Sequence, residues 1–226
     1  MMFDKRITIF AGHYGSGKTN LAVNCAVALR GSFPNKRVIL ADMDIVNPYF
    51  KSADEATYLA GKNIDVIAPV FANTNLDAPA LPGELFSIFH DQSSLAVIDL
   101  GGDDRGAYAL GRFAELLINH AIYDMLLVVN YYRPLTRTPQ SVCGIKTEIE
   151  VAAGVTFTGV VNNSNIGVAT TAQDVLNSME YIKRVTEQCD LPLVFTSIKK
   201  DLEHFLPELN TFGINVTETG EKYGIV

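Results

Sequence analysis

The chain is poor in cysteine: three in 226 residues, Cys25, Cys143 and Cys189, widely spaced and without a C-x-x-C pair. That leaves a disulfide framework and zinc and iron–sulfur sites without a signature, so buried free thiols in a reducing cytosol are the expectation. Positive charge is also short, with 18 Lys and Arg against 25 Asp and Glu for a net charge of −7. Non-specific nucleic-acid binding depends on neutralising phosphates with Lys and Arg, so nucleic acid is not an expected partner. No stretch approaches the ~20 apolar residues of a membrane span. The opening residues Met1 to Arg6 run directly into an apolar segment, with no leader-like region before it. A cytoplasmic protein is expected. No Pro/Gly/Ser-rich or charged linker and no internal repeat divides the chain, which reads as one domain over residues 1–226.

What the chain does have is a stretch that fits G-x-x-x-x-G-K-[ST], Gly12-His13-Tyr14-Gly15-Ser16-Gly17-Lys18-Thr19. It lies between an apolar run, Ile7 to Ala11, and a helix-like segment, as a phosphate-binding loop requires. Glycines let consecutive backbone N–H groups curl around phosphate oxygens, and the following helix directs its positive end at them. Lys18 is then expected on the β- and γ-phosphates, and Thr19 on Mg²⁺. Asn20 opens the helix beside them. Apolar runs alternate with helical segments from end to end, which predicts a three-layer αβα fold with a mostly parallel central sheet. Strands are expected at 7–11, 37–41, 64–68, 95–100, 125–130, 157–162 and 193–196. Helices are expected at 18–30, 52–60, 83–90, 104–119, 139–153 and 171–189.

In such sheets ligands bind beyond the carboxyl ends of the strands. Polar clusters gather there: Asp42-Met43-Asp44, Asp99 to Asp104, Asn130 to Arg133, and Asn162 to Asn165. Four of them on the edge that carries a phosphate loop favour a site over ordinary loop polarity. Asp42 and Asp44 also suit a strand-end turn, and Asp103 suits a helix N-cap.

The phosphate loop, the Asp-x-Asp after the second strand, and Asp99 with Gly102 in an Asp-x-x-Gly together resemble the MinD/ParA-like group of P-loop NTPases, which includes the CobQ/CobB relatives. That resemblance implies a Mg²⁺-dependent ATPase with Asp42 near the metal, Asp44 orienting the attacking water, Asp99 as the carboxylate for Mg²⁺, and Gly102 sensing the γ-phosphate. It also implies that an asparagine at the end of the sixth strand, Asn162 or the better aligned Asn163, is offered to adenine, and that the segment from Leu191 to Thr196 with the residues after it completes the base pocket. The guanine-reading N-K-x-D is absent, and ATP is expected over GTP. One departure stands inside the loop. Relatives that pair around two ATPs carry a signature lysine where this chain has His13, so an ATP-driven homodimer is expected to be weak. His13 equally suits a loop residue without a role.

The resulting expectation is a switch that binds ATP or ADP and acts on a protein partner. Two alternatives stay open: a small-molecule enzyme of the dethiobiotin-synthetase or cobyrinate-amidation type, with Arg133 and Arg137 clamping an anionic substrate, or a regulatory subunit that binds nucleotide without hydrolysing it. The stretch from Leu206 to Val226 has neither the period nor the charge of a membrane-binding helix.

Overall fold

A computed structural model describes residues 3, 5–44, 53–68, 83–101, 104–120 and 123–215. In chain order the elements are β1 (Ile7–Ala11), α1 (Lys18–Ser32), β2 (Val38–Met43), α2 (Ala53–Gly61), β3 (Asp65–Ile67), α3 (Leu85–His90), β4 (Leu95–Leu100), α4 (Asp104–Gly111) and α5 (Ala114–His120). They continue with β5 (Tyr123–Val129), α6 (Pro139–Ala153), β6 (Gly159–Asn162), α7 (Ala172–Cys189), β7 (Leu193–Lys199) and β8 (Thr211–Ile214). The strands form one sheet in the order β3-β2-β4-β1-β5-β6-β7-β8, and every adjacent pair is parallel.

A parallel sheet buried on both faces needs strands that are apolar on both sides. Every residue of β1, β2, β4 and β6 is buried. Alternation along β1 sends Ile7, Ile9 and Ala11 to one layer, with α3 to α7, and Phe10 to the other, with α1 and α2. Helix α6 starts where Thr138 accepts from the Ser141 N–H and Pro139 fills the first turn, and it stops at Gly154 in the left-handed conformation. Helix α7 opens with a reciprocal Thr171–Asp174 capping box.

Three expectations change. The helix expected over 104–119 is broken after Gly111, because α4 packs tightly on α6 there. A Cβ at Gly111 would stand 3.1 Å from the Ala152 carbonyl oxygen, and the next turn buries Phe113 stacked on Phe89 at 4.4 Å. An eighth strand, β8, follows β7 and pairs with it. The free-thiol expectation holds for buried Cys25 only, because Cys143 on α6 and Cys189 at the end of α7 form a disulfide with Cα atoms 5.3 Å apart. The two helices are neighbours in one layer, a closeness that a separation of 46 residues conceals in the sequence. Among the described residues no helix is long and apolar enough to cross a membrane. Of the stretch 206–226, residues 216–226 lie outside the described residues.

Candidate functional site

The strand order reverses around β1, so the loop that leaves its carboxyl end enters the crevice where α/β sheets hold ligands. That loop is Gly12 to Gly17, and its glycines are structural requirements. Gly12 has φ 148°, and a Cβ on it would stand 2.6 Å from the Val128 carbonyl oxygen of β5. Gly17 has φ 86° and immediately precedes α1. With no acidic residue in its first turn, α1 presents the positive end of its dipole uncompensated. Lys18 is buried and folds back across the loop, its Nζ donating to the His13 carbonyl oxygen at 3.1 Å. Ser16 is buried within the loop, and its hydroxyl has no hydrogen-bond partner among the described residues. The His13 ring turns back on the loop, Nδ1 lying 2.9 Å from the Tyr14 carbonyl oxygen, and the Tyr14 side chain is exposed.

The carboxylates arrive through strand register. Asp99 is opposite Phe10 across β1–β4 and opposite Asp42 across β4–β2. Partners in parallel strands share a face, so both carboxylates point to the layer of Phe10, beneath the start of α1. The Thr19 hydroxyl donates to Asp99 Oδ2 at 2.5 Å, and Asp99 Oδ1 has no hydrogen-bond partner among the described residues. Asp42 Oδ1 accepts the Asp44 N–H at 2.9 Å, which holds the strand end and brings Asp44 into the same electrostatic neighbourhood. Burial first, and then the Asp42 charge, push the Asp99 carboxyl up to about 7, against the pull of Lys18 and the Thr19 hydrogen bond. Two in-register carboxylates, each only 1% exposed, are the donor set of a hard divalent cation that keeps waters and phosphate oxygens as its other ligands. Among the described residues no group of three or more His, Cys, Asp and Glu forms a self-sufficient metal cage. Thr19, Asp99 and Asp42 are the residues that could hold a hard cation such as Mg²⁺, with phosphate oxygens and water as its other ligands.

Face alternation on β6 separates the two candidate asparagines. Asn162 points into the layer of α7, donating to Ser178 Oγ at 3.0 Å, and does not line the cavity beside the loop. Asn163 points to the layer of α1. Its Nδ2 donates to the Ser16 carbonyl oxygen at 2.6 Å, and its Oδ1 accepts from the Ser197 hydroxyl of β7. Asn163 thus ties the phosphate loop to β7 and lines a cavity shared by Gly15, Gly17, Asn20, Arg133 and Ser197. Arg133 reaches the loop from the far end of β5, its Nε donating to the Gly15 carbonyl oxygen at 2.9 Å, whereas Arg137 is exposed outside the cavity. Gly102 and Asp103 lie outside the described residues, and Asp104 begins α4. Ser197, Ile198 and Lys199, which follow the expected end of the seventh strand at Thr196, continue β7 and line the cavity.

No protein-family model matches the chain, and no curated protein matches it. Solved structures do. The chain is similar to chloroplast FtsY from Physcomitrella patens, 12% identical over 98% of this chain and 64% of that one, with TM-score 0.58. It is similar to the cell division protein FtsY from Thermotoga maritima, 15% identical over 98% and 68%, with TM-score 0.55. The third likeness is to FtsY from Mycoplasma mycoides, 17% identical over 87% and 60%, with TM-score 0.54. The chain thus spans between 60% and 68% of the length of these proteins. At 12–17% identity these likenesses show the fold, and the MinD/ParA resemblance drawn from the motifs is supported at that level. The chain has the α/β fold of the P-loop NTPases, a single parallel sheet between two layers of helices.

Proposed function

We propose that the chain is a Mg²⁺-dependent ATPase that works as a nucleotide-dependent switch on a protein partner. The observation that carries this reading is the meeting of Thr19 and Asp99 at 2.5 Å beneath a loop whose Gly12, Gly15 and Gly17 all take positive φ. A glycine-rich turn without a ligand has no reason to bury two carboxylates and a lysine against it. Lys18 leaves the His13 carbonyl for the β- and γ-phosphates, and the loop N–H groups take the β-phosphate oxygens. Thr19, Asp99 and Asp42 would hold Mg²⁺, which when bound neutralises charge on the phosphate oxygens. Asp44, anchored through its N–H to Asp42, is assigned to orienting the attacking water.

The choice of base rests on the cavity beside the loop. Guanine presents N1–H and an amino group that call for a carboxylate acceptor, and among the described residues no Asp or Glu lines this cavity. Asn163, Asn165, Ser197 and Lys199 do. This supports adenine. The His13 ring, which stands where paired relatives carry the signature lysine, is turned back onto the Tyr14 carbonyl, and an ATP-driven homodimer is expected to be weak.

Calorimetry with ATP and GTP in Mg²⁺ tests the reading. Lys18→Ala should weaken ATP binding by about 10- to 100-fold, from the loss of one or two charge-assisted hydrogen bonds. Asp44→Asn should keep ATP binding and slow phosphate release. Unchanged ATP affinity in Lys18→Ala would remove the loop from the site. Phosphate release that needs an added carboxylate substrate would favour the small-molecule enzyme, and tight binding without release the regulatory subunit.

A further inference from the structure

Arg133 combines three properties that an ordinary surface arginine does not. Its backbone is fixed: the Arg133 N–H donates to the Asn130 carbonyl oxygen at 3.2 Å, and the Thr136 N–H to the Arg133 carbonyl oxygen at 3.1 Å. The Thr136 hydroxyl closes the same turn on the Asn130 carbonyl oxygen at 2.6 Å. Its side chain is fixed as well, Nε on the Gly15 carbonyl oxygen, and it lies close enough to the loop that a Cβ on Gly15 would stand 3.6 Å from that Nε. The third property is electrostatic. Although the chain carries 25 carboxylate side chains, none among the described residues pairs with Arg133, and its four remaining N–H donors have no acceptor there.

A half-buried guanidinium held rigidly and left without an anion is a costly arrangement unless an anion comes to it. The cavity it lines is edged by Gly15, Gly17 and Asn20, the stretch where the phosphate loop turns into α1. Arginine's planar fork matches phosphate oxygens, and one nitrogen already engaged on Gly15 leaves the terminal pair aimed by the same bond. We infer that Arg133 is a phosphate-binding residue of the nucleotide site, a second cation besides Lys18 supplied by the same chain from the β5 loop. The inference rests on the nucleotide reading above. It assigns Arg133 to the phosphate chain, and neither to the base nor to bracing the loop.

The test compares ATP, ADP and adenosine by calorimetry on the full chain, as wild type, Arg133→Gln and Arg133→Lys. Glutamine keeps a side-chain N–H for the Gly15 carbonyl and removes the charge. Arg133→Gln should lose about 10- to 100-fold for ATP and ADP and leave adenosine within about twofold, with Arg133→Lys in between. The gap between wild type and Arg133→Gln should narrow on going from about 50 to about 300 mM salt, because part of it is Coulombic. A second measurement needs no variant. Phenylglyoxal modification of Arg133 in the wild-type protein, followed by peptide mass, should be blocked by ATP and ADP and not by adenosine. The assignment is overturned if Arg133→Gln binds ATP as wild type does, if adenosine loses as much as ATP, if Lys serves no better than Gln, or if ATP leaves the modification unprotected. Wild type that binds ATP and loses it in Lys18→Ala but not in Arg133→Gln refutes this inference alone. Wild type that binds no ATP refutes the nucleotide reading with it.

Discussion

Asp99 serves two opposing demands. As a ligand it must be ionised, but burial and the Asp42 charge favour its neutral form, raising it to about 7 from the ordinary carboxylate range near 4. The sign follows from linkage. Between about pH 4 and about 7 the folded chain binds more protons at this group than the unfolded chain, so its contribution to stability falls as pH rises through that window. In a chelating buffer at pH 8, Asp99→Asn should therefore melt higher than wild type, by roughly 2–4 °C for each kcal/mol relieved, while losing Mg²⁺-dependent ATP affinity. Differential scanning calorimetry with and without Mg²⁺ checks both halves, and a lower melting point in chelator would contradict the account. At this scale the loop was legible from its fixed spacing, and Asp42 and Asp99 from their places at strand ends on the same edge, their roles being implied by the resemblance alone. Asn163 was preferred over Asn162 by resemblance alone, and the reason it faces the cavity, the phase of β6 against α7, came only with the fold. Ser197 fell in the stretch expected to complete the base pocket, but its bond to Asn163 was not readable from the sequence.

Helix α4 is the element that seats the ends of β2 and β4. Gly106 on it leaves no room for a methyl group: a Cβ there would stand 2.9 Å from the Gly101 nitrogen and 3.1 Å from the Met43 carbonyl oxygen. Both neighbours are backbone, one following Leu100 and the other ending β2, so neither can rotate away. Gly106→Ala should push α4 off the two strands that carry the carboxylates, costing about 1–3 kcal/mol of stability and slowing ATP turnover more than it weakens ATP binding. Thermal melting beside steady-state phosphate release measures this, and a variant with wild-type turnover would show that the seat is not required. The long elements were readable from periodicity, α6 to the residue. The break after Gly111 was not, because a continuous helical pattern runs through it and only the approach of α6 and the burial of Phe113 interrupt it. The four residues of β8 include a glycine and pair on a single edge, too little pattern to separate from a loop.

At the scale of the molecule, strand composition and alternation with helices were enough to name a parallel three-layer fold, since both faces of each central strand had to be covered. The disulfide was beyond reach, being a product of how α6 and α7 share a layer. Closing a loop of 46 residues restricts the unfolded chain by about 4 kcal/mol in the chain-entropy account. Reductant, or Cys143→Ser, should lower the melting temperature by roughly 8–16 °C at the 2–4 °C per kcal/mol expected for a chain of this size. Cys25→Ser should not reproduce that dependence on reductant. A melting point indifferent to reductant would mean the two thiols are not joined in solution.

The tie that Asn163 makes between Ser16 and Ser197 also means that the two ends of a nucleotide are not felt independently. Whatever settles against Ser197 tensions the same amide that holds the phosphate loop, so the halves of one ligand should behave as two effectors. Split into adenosine and tripolyphosphate, they should bind with positive cooperativity, each raising the affinity of the other by one common factor, as reciprocity demands. In Asn163→Ala that factor should fall to one while each fragment still binds.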